Sequence, residues 1–334
     1  MIIKILYKLR SNYFGYKIGR KVLSIPFIIN NRIYDSLYNK KIRKAIQKLG
    51  YPLGIDIGVT NACNSDCIMC PHYKLKNIGT MDMKLYKKII DNCVELKIDN
   101  ITLSFFGEPL LDKTLIEKIK YAKERRINVS FYSNASLLDK SWARKLIESK
   151  LDNITISLDG CTKETYERIR RGLKFDVVKN NILNLIKLKK KMGVNDPKID
   201  LVIVELEENK KEIKKFYKEW KNEVESINII NMRNWTGKIN KKGTKESFHF
   251  NYKSKRKPCA LIWQKMIVDW NGDVVLCADD WNHSTILGNL KEQTIEEIWK
   301  GEKLREIKEA HIKGEFWKVP VCSKCNKKSV WWFS

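Results

Sequence analysis

Residues 54–70 read GIDIGVTNACNSDCIMC, and the organisation of the chain follows from how this stretch divides. Its first six residues form a short apolar run of the kind that makes a buried strand, and Cys63, Cys67 and Cys70 follow at once with C-x3-C-x2-C spacing. Outward from here the chain alternates. Apolar runs recur at 101–106, 128–132, 153–158, 198–204 and 226–231, and stretches with helical spacing lie at 83–96, 115–125, 142–149, 163–171, 177–192 and 210–223. In 177–192 the residues Val178, Ile182, Leu185, Ile186 and Leu188 share one face, with lysines opposite. Successive βα units predict a parallel sheet wound right-handedly, either open and doubly wound or a barrel or part-barrel. In a barrel, chemistry sits on the loops that leave the C-terminal ends of the strands, where the cysteines fall.

The flanks differ from this body. Residues 1–50 mix Ile2, Ile3, Ile5, Leu6 and Leu9 with Lys4, Lys8, Arg10 and Lys17 and read as a basic N-terminal arm that packs on the body, with peripheral membrane contact as the alternative. Beyond 232 a polar, basic linker over 234–258 leads to runs at 266–269 and 274–276 joined through Asn271-Gly272, a hairpin pattern. A helix is expected over 295–309, and the tail ends in Trp331-Trp332-Phe333. The expected division is an arm (1–50), a βα core (51–232) and a linker with a small cysteine-bearing cap (233–334).

Composition narrows the classes. With 334 residues and 43% hydrophobic content the chain can bury a sizeable core, which excludes a disordered chain. No run approaches the ~20 apolar residues of a spanning helix, and the N-terminus lacks the uninterrupted apolar region of a signal peptide. Nine cysteines, an odd number and mostly clustered, point to metal ligation in a reducing compartment, so a cytoplasmic protein is expected. The net charge of +26 favours anionic partners, yet the basic residues are spread along the whole chain and so speak to solubility and non-specific attraction. No separate RNA-binding module is visible, so nucleic acid is not an expected partner.

Three thiolates on one tight loop can hold three irons of a [4Fe–4S] cube and leave the fourth iron open; zinc would need a fourth ligand, for which His72 is near. Cys259 and Cys277 bracket the hairpin, and Cys322-x2-Cys325 follows. These four thiolates suit zinc and an iron–sulfur cluster equally. Cys93 and Cys161 fit neither set and are expected as small buried side chains.

The order of motifs along the strands resembles the radical SAM superfamily over about 51–232. The resemblance implies that Cys63, Cys67 and Cys70 bind a [4Fe–4S] cluster whose open iron is chelated by S-adenosylmethionine, with Met69 beside the adenine through its backbone. Phe106-Gly107-Glu108-Pro109 is similar to the family's GGEP segment, which receives the amino group of S-adenosylmethionine, although Phe106 stands in place of the first glycine. Ser133 and Asn134 resemble the loop near the ribose and methionyl moiety. Ser157 and an arginine, Arg168 or Arg170 with preference for Arg170, would meet the carboxylate. The cap resembles the shortened "twitch" form of the SPASM extension, with a second [4Fe–4S] cluster on Cys259, Cys277, Cys322 and Cys325. The implied fold is α/β, a partial (β/α)6 TIM-like barrel carrying a small C-terminal α+β iron–sulfur cap.

The resemblance implies an oxidoreductase. Flavodoxin or ferredoxin would supply one electron to the first cluster, steered by opposite charge, and a 5′-deoxyadenosyl radical would take a hydrogen from a small-molecule substrate. A fully ligated second cluster has no open iron and would accept an electron, so the leading expectation is oxidation of a sugar or cyclitol alcohol, with an anionic or nucleotide-linked sugar among the options. Arg233, at the end of the sixth strand, would contact a substrate hydroxyl, and a surface salt bridge is its plainer reading. The alternatives are a peptide maturase, a redox-neutral carbohydrate epimerase or dehydratase, a radical enzyme acting on RNA, and a zinc-binding interaction protein.

Overall fold

The computed structural model describes residues 50–237, 256 and 258–325. The N-terminal arm, most of the linker and the aromatic tail lie outside the described residues. In chain order the strands are β1 (Gly54–Ile57), β2 (Asp66–Cys67), β3 (Asn100–Thr102), β4 (Asn128–Ser133), β5 (Asn153–Ser157), β6 (Arg170–Arg171), β7 (Lys198–Glu205), β8 (Ser226–Asn231), β9 (Lys265–Val268), β10 (Asp273–Val275) and β11 (Ile286–Asn289). The helices are α1 (Met83–Glu95), α2 (Leu115–Glu124), α3 (Lys140–Glu148), α4 (Lys163–Ile169), α5 (Phe175–Met192), α6 (Ile213–Trp220), α7 (Leu261–Gln264), α8 (Ile295–Lys300), α9 (Glu302–Lys313) and α10 (Pro320–Ser323). Local chemistry sets their starts: Asp82, Asp139, Thr162 and Thr294 each accept a first-turn backbone N–H at an N-cap.

Nine strands form one sheet in the order β11-β10-β9-β1-β3-β4-β5-β7-β8. Every neighbouring pair from β9 to β8 is parallel, and in this sheet only β10 runs against the others, pairing antiparallel with β9 on one side and β11 on the other. The expected C-terminal hairpin is present, but it is not set apart. Its first strand pairs with β1 over Gly54–Ile57, so the cysteine-bearing cap continues the core sheet.

The two faces of the sheet differ sharply. Ile55, Ile101, Val129, Phe131, Ile154, Ile199, Leu201 and Ile227 turn to the helices and are buried. Their neighbours along the strands form polar rows: Asp56, Thr102, Ser130 and Asn153 share one line of register, and Tyr132, Thr155, Asp200 and Ser226 the next. Ser226 Oγ and Asn153 Nδ2 donate to Asp200, and Lys265 Nζ donates to Asp56 Oδ1 at 2.7 Å. This polar face is concave. In a flat sheet β8 and β10 would stand seven strand spacings apart, about 34 Å. Yet Arg233, just past β8, reaches Asp279, just past β10, at 2.7 Å. The sheet therefore curls into a partial barrel with a polar lumen.

Two expectations about helix limits are corrected. The run over 295–309 is two helices, because Gly301 is extended (φ −60°, ψ 153°) and serves as N-cap of the second. The helix expected over 163–171 ends at Ile169, and Arg170–Arg171 leaves it to pair antiparallel with Asp66–Cys67. That pairing sets Arg170 opposite Cys67 and brings the fourth βα unit onto the cysteine loop.

Candidate active site

The loop after β1 is held by its own backbone. Asn61 donates from Nδ2 to the Asn77 carbonyl (2.7 Å) and accepts the Gly79 N–H (2.8 Å), while Thr60 Oγ1 donates to the Gly79 carbonyl. His72 Nε2 lies 2.7 Å from the Asn61 carbonyl oxygen, so this nitrogen is engaged with the loop itself. Ser65 Oγ sits 3.4 Å from Cys63 Sγ and 3.3 Å from Cys67 Sγ, and the Cys70 N–H donates to the Cys67 carbonyl. Burial raises the Cys63 thiol and pushes Cys70 up to about 12. Such thiolates need a bound cation to form, which fits an iron-loaded loop.

Gly107 seals the back of this loop. Its φ is +104°, and a Cβ there would meet Thr60 O at 2.5 Å, Ala62 O at 2.7 Å and Asn61 Cα at 2.8 Å. Only glycine allows that approach. The next residue, Glu108, is buried and donates its N–H to the Ala62 carbonyl. Its Oε1 accepts from Ser133 Oγ (2.8 Å) and the Leu110 N–H (3.2 Å), and its Oε2 accepts the Asn134 N–H (2.7 Å). Burial raises the Glu108 pKa against the pull of these donors. A carboxylate has roughly four acceptor positions, so one on Oε2 is left after these three. Ser133 and Asn134 are thus turned to Glu108, and Asn134 Nδ2 also donates to Asn64 Oδ1 on the cysteine loop (2.9 Å).

Arg170 and Arg168 part company. Arg168 is exposed, whereas Arg170 donates from Nε and Nη2 to Asp159 Oδ2, each at 2.6 Å, and from Nη1 to Cys67 Sγ at 3.6 Å. Asp159 is fully buried, and its Oδ1 also accepts the Val204 N–H. It is a counter-ion that aims the arginine, a role its sequence context disguises as an ordinary cap. Ser157 ends β5 and is half-buried. Met69 is buried, and its carbonyl accepts from Trp235 Nε1 at 2.7 Å. The Trp235 ring in turn lies 5.4 Å from that of Phe106, so the residue in place of a family glycine packs at the site. Arg233 is about two-fifths exposed and pairs with the buried Asp279.

Asp279 leads to the second cysteine set, since its N–H donates to Cys277 Sγ at 3.4 Å. Cys322 is buried, its thiol pushed up to about 12 by burial and by the nearby Cys259. Arg256 donates to the Cys322 carbonyl at 2.6 Å, and Cys325 N–H does so at 3.2 Å. His311, fully buried on α9, touches both Cys259 and Cys322. Burial and Arg256 lower it to about 4, so it is neutral. As at the first loop, buried and mutually repelling thiols suit a cation-loaded site. Cys93 and Cys161 are buried away from both sets, with Cys161 Sγ against the Glu212 carbonyl. Sequence reasoning missed Asp159, Asp279, Trp235 and His311 as partners of these sites.

Residues 57–219 match the model of the Radical SAM superfamily, and residues 259–326 match that of an iron–sulfur cluster-binding domain, SPASM. The chain therefore carries a radical SAM domain followed by a SPASM domain, those of a radical enzyme whose cofactors are [4Fe–4S] clusters and S-adenosylmethionine and which acts with a reductant. It is 24% identical over 281 residues to the S-adenosyl-L-methionine-dependent 2-deoxy-scyllo-inosamine dehydrogenase of Niallia circulans, covering 81% of this chain and 92% of that one. It is 28% identical over 150 residues to the mycofactocin maturase MftC of Mycolicibacterium smegmatis, 43% of this chain and 36% of that one. Among solved structures, BtrN in complex with AdoMet and 2-DOIA aligns with a TM-score of 0.56 at 21% identity (83% of this chain, 93% of that one). Streptococcus suis SuiB bound to its precursor peptide SuiA aligns at 0.65 and 17% identity (87% and 76%). Among the described residues no helix is long and apolar enough to cross a membrane.

Proposed function

We propose that this enzyme oxidises a secondary alcohol of a cyclitol or sugar to a ketone. The observation that carries the reading is the similarity along 92% of the length of the Niallia circulans dehydrogenase, combined with a second set of four cysteines. Residues 51–232 form the core and 233–334 the linker and cluster-bearing cap. Cys63, Cys67 and Cys70 hold the first cluster; Cys259, Cys277, Cys322 and Cys325 hold the second. Bound S-adenosylmethionine at the reduced first cluster supplies the 5′-deoxyadenosyl radical that takes a hydrogen atom from carbon.

The chain's own residues bind and orient. The free acceptor position of Glu108 receives the amino group, held in place by Ser133 and Asn134. Arg170 has five N–H groups, three of them engaged, and turns the other two to the carboxylate beside Ser157. Gly107 lets the Glu108 segment lie against the cluster loop, and the Met69 backbone borders the adenine. Arg233, fixed by Asp279, presents the exposed part of its guanidinium to a substrate hydroxyl. Oxidation must also dispose of a hydroxyl proton and one electron. A cluster held by Cys259, Cys277, Cys322 and Cys325 would accept that electron, and the proton would leave to water. A flavodoxin- or ferredoxin-type donor in the cytoplasm suits the +26 charge.

Modification of a peptide is the second reading, favoured by the alignment with SuiB. The test is anaerobic preparation with iron and sulfide counts, then S-adenosylmethionine and dithionite with cyclitols, amino-cyclitols, sugars and peptides offered separately. About eight irons per chain are expected for two cubane clusters, falling to about four when Cys63, Cys67 and Cys70 become Ala. Ketone formed in step with 5′-deoxyadenosine supports the alcohol reading. A peptide mass change without ketone from any polyol would replace it.

A further inference from the structure

His311 lies outside the residues that bind and orient S-adenosylmethionine, yet it is fully buried with both ring nitrogens engaged. Its Nδ1 accepts the Cys259 N–H at 3.2 Å, and its Nε2 stands 3.3 Å from Cys322 Sγ. A ring nitrogen that accepts an amide N–H cannot carry a proton, so with Nδ1 engaged in this way the imidazole can hold its single proton only on the other nitrogen. The proton is therefore on Nε2, directed at sulfur. The reverse arrangement, with the Cys322 thiol donating, would leave both ring nitrogens as acceptors, which no neutral imidazole allows. The contact is thus built for Cys322 as an acceptor, which is the role of a thiolate ligand.

The ring has little freedom to do otherwise. Phe316 meets it edge-on at 5.0 Å and 88°, and Trp263 at 6.3 Å and 80°. Arg256 stacks over Phe316 at 4.3 Å while donating to the Cys322 carbonyl, so the same cage holds ring and ligand backbone together. One side chain fixes two cysteine-bearing segments that are distant in sequence.

We propose that His311 is a positioning residue for the second cysteine site, whose Nε2–H donates to the Cys322 thiolate and raises the reduction potential of the cluster held there. The inference rests on the reading of Cys259, Cys277, Cys322 and Cys325 as the ligands. A hydrogen bond to a ligand sulfur offsets negative charge, and the reduced cluster carries one more electron than the oxidised one, so the bond favours reduction. This tunes the site for the role of electron acceptor.

The test is a potentiometric titration of the holoenzyme followed by electron paramagnetic resonance, with the second cluster identified as the signal that S-adenosylmethionine does not change. His311→Phe keeps a buried ring and removes both nitrogens; the midpoint of that signal is expected to fall while the S-adenosylmethionine-responsive signal stays. His311→Gln, which can still offer an N–H, should recover part of the fall. A fully iron-loaded His311→Phe enzyme with an unchanged midpoint overturns the proposal. If that variant loses its second iron complement, unmutated enzyme labelled with 15N-histidine decides: a 15N coupling on the S-adenosylmethionine-insensitive signal supports it, and its absence overturns it. Full iron retention in a Cys322→Ala enzyme would instead remove the ligand reading on which the inference stands.

Discussion

At the end of β1 three cysteines fall within residues 63–70, held by loop backbone and covered by two neighbouring βα loops. At the other cysteine set Cys259, Cys277 and the Cys322–Cys325 pair come from three separate segments, joined by His311, Arg256 and the hairpin of β9 and β10. The first site is local: one loop supplies the thiols, and its neighbours are chosen for close approach. The second exists only once the tertiary structure has formed. A motif search can find the first from spacing alone, whereas the second depends on what lies between the cysteines.

Substitutions can break or sharpen this contrast. The largest effect is expected from Gly107→Ala, which puts a methyl within 3 Å of three backbone atoms at a positive φ. It should cost on the order of 4 kcal/mol and lower iron from about eight to about four per chain, sparing the second site. Anaerobic urea unfolding with iron analysis checks this, and equal loss from both sites would end the claim of separate construction. Asp159→Asn comes next. It leaves a nearly buried Arg170 without its carboxylate, a loss of about 3 kcal/mol, with weakened S-adenosylmethionine binding by calorimetry.

A smaller effect falls on the second region. His283 sits 3.0 Å from Asp269 at the end of β9 and 3.1 Å from Asp273 in β10, and the bond to Asp269 raises its pKa above the ordinary 6.5. A raised folded-state value means the stabilisation is complete below 6.5 and disappears as pH climbs through the folded value. The stability gap between the unmutated protein and His283→Ala should therefore shrink as the pH rises above the ordinary 6.5 in denaturant titrations. A gap that widens would reverse the assignment. Arg168→Ala should change stability by less than about 0.5 kcal/mol, because that side chain is exposed.

The parallel winding was legible because apolar runs and helical stripes alternate without interruption from 54 to 231. The polar lumen was legible too, in strands such as Asn153–Ser157, where every second residue is polar, although that alternation is easily passed over in favour of the helices. Arg170 was preferred over Arg168 from the order of motifs, but the short strand that turns it inward was hidden, since the helical pattern runs straight through it and only the Cys67 pairing pulls it out. Attachment of Lys265–Val268 to β1 was equally hidden: four residues carry no record of their partner. His311 did leave a trace. With Leu304 and Ile307 it occupies the buried stripe of α9, a histidine where the period asks for an apolar residue.

The polar inner wall of the curled sheet also has a thermodynamic consequence. Packed barrels bury apolar layers on both sides of their strands, while here polar rows occupy much of the inner face, relieved by residues such as Val202, Ile267 and Val275, and the helix-facing side holds most of the hydrocarbon. Unfolding then exposes less apolar surface per residue, and both the heat-capacity change and the denaturant sensitivity follow that area. The stability curve of this enzyme should be flatter with temperature than that of a filled barrel of equal length, with the lumen contributing hydrogen bonds and water in place of hydrophobic mass.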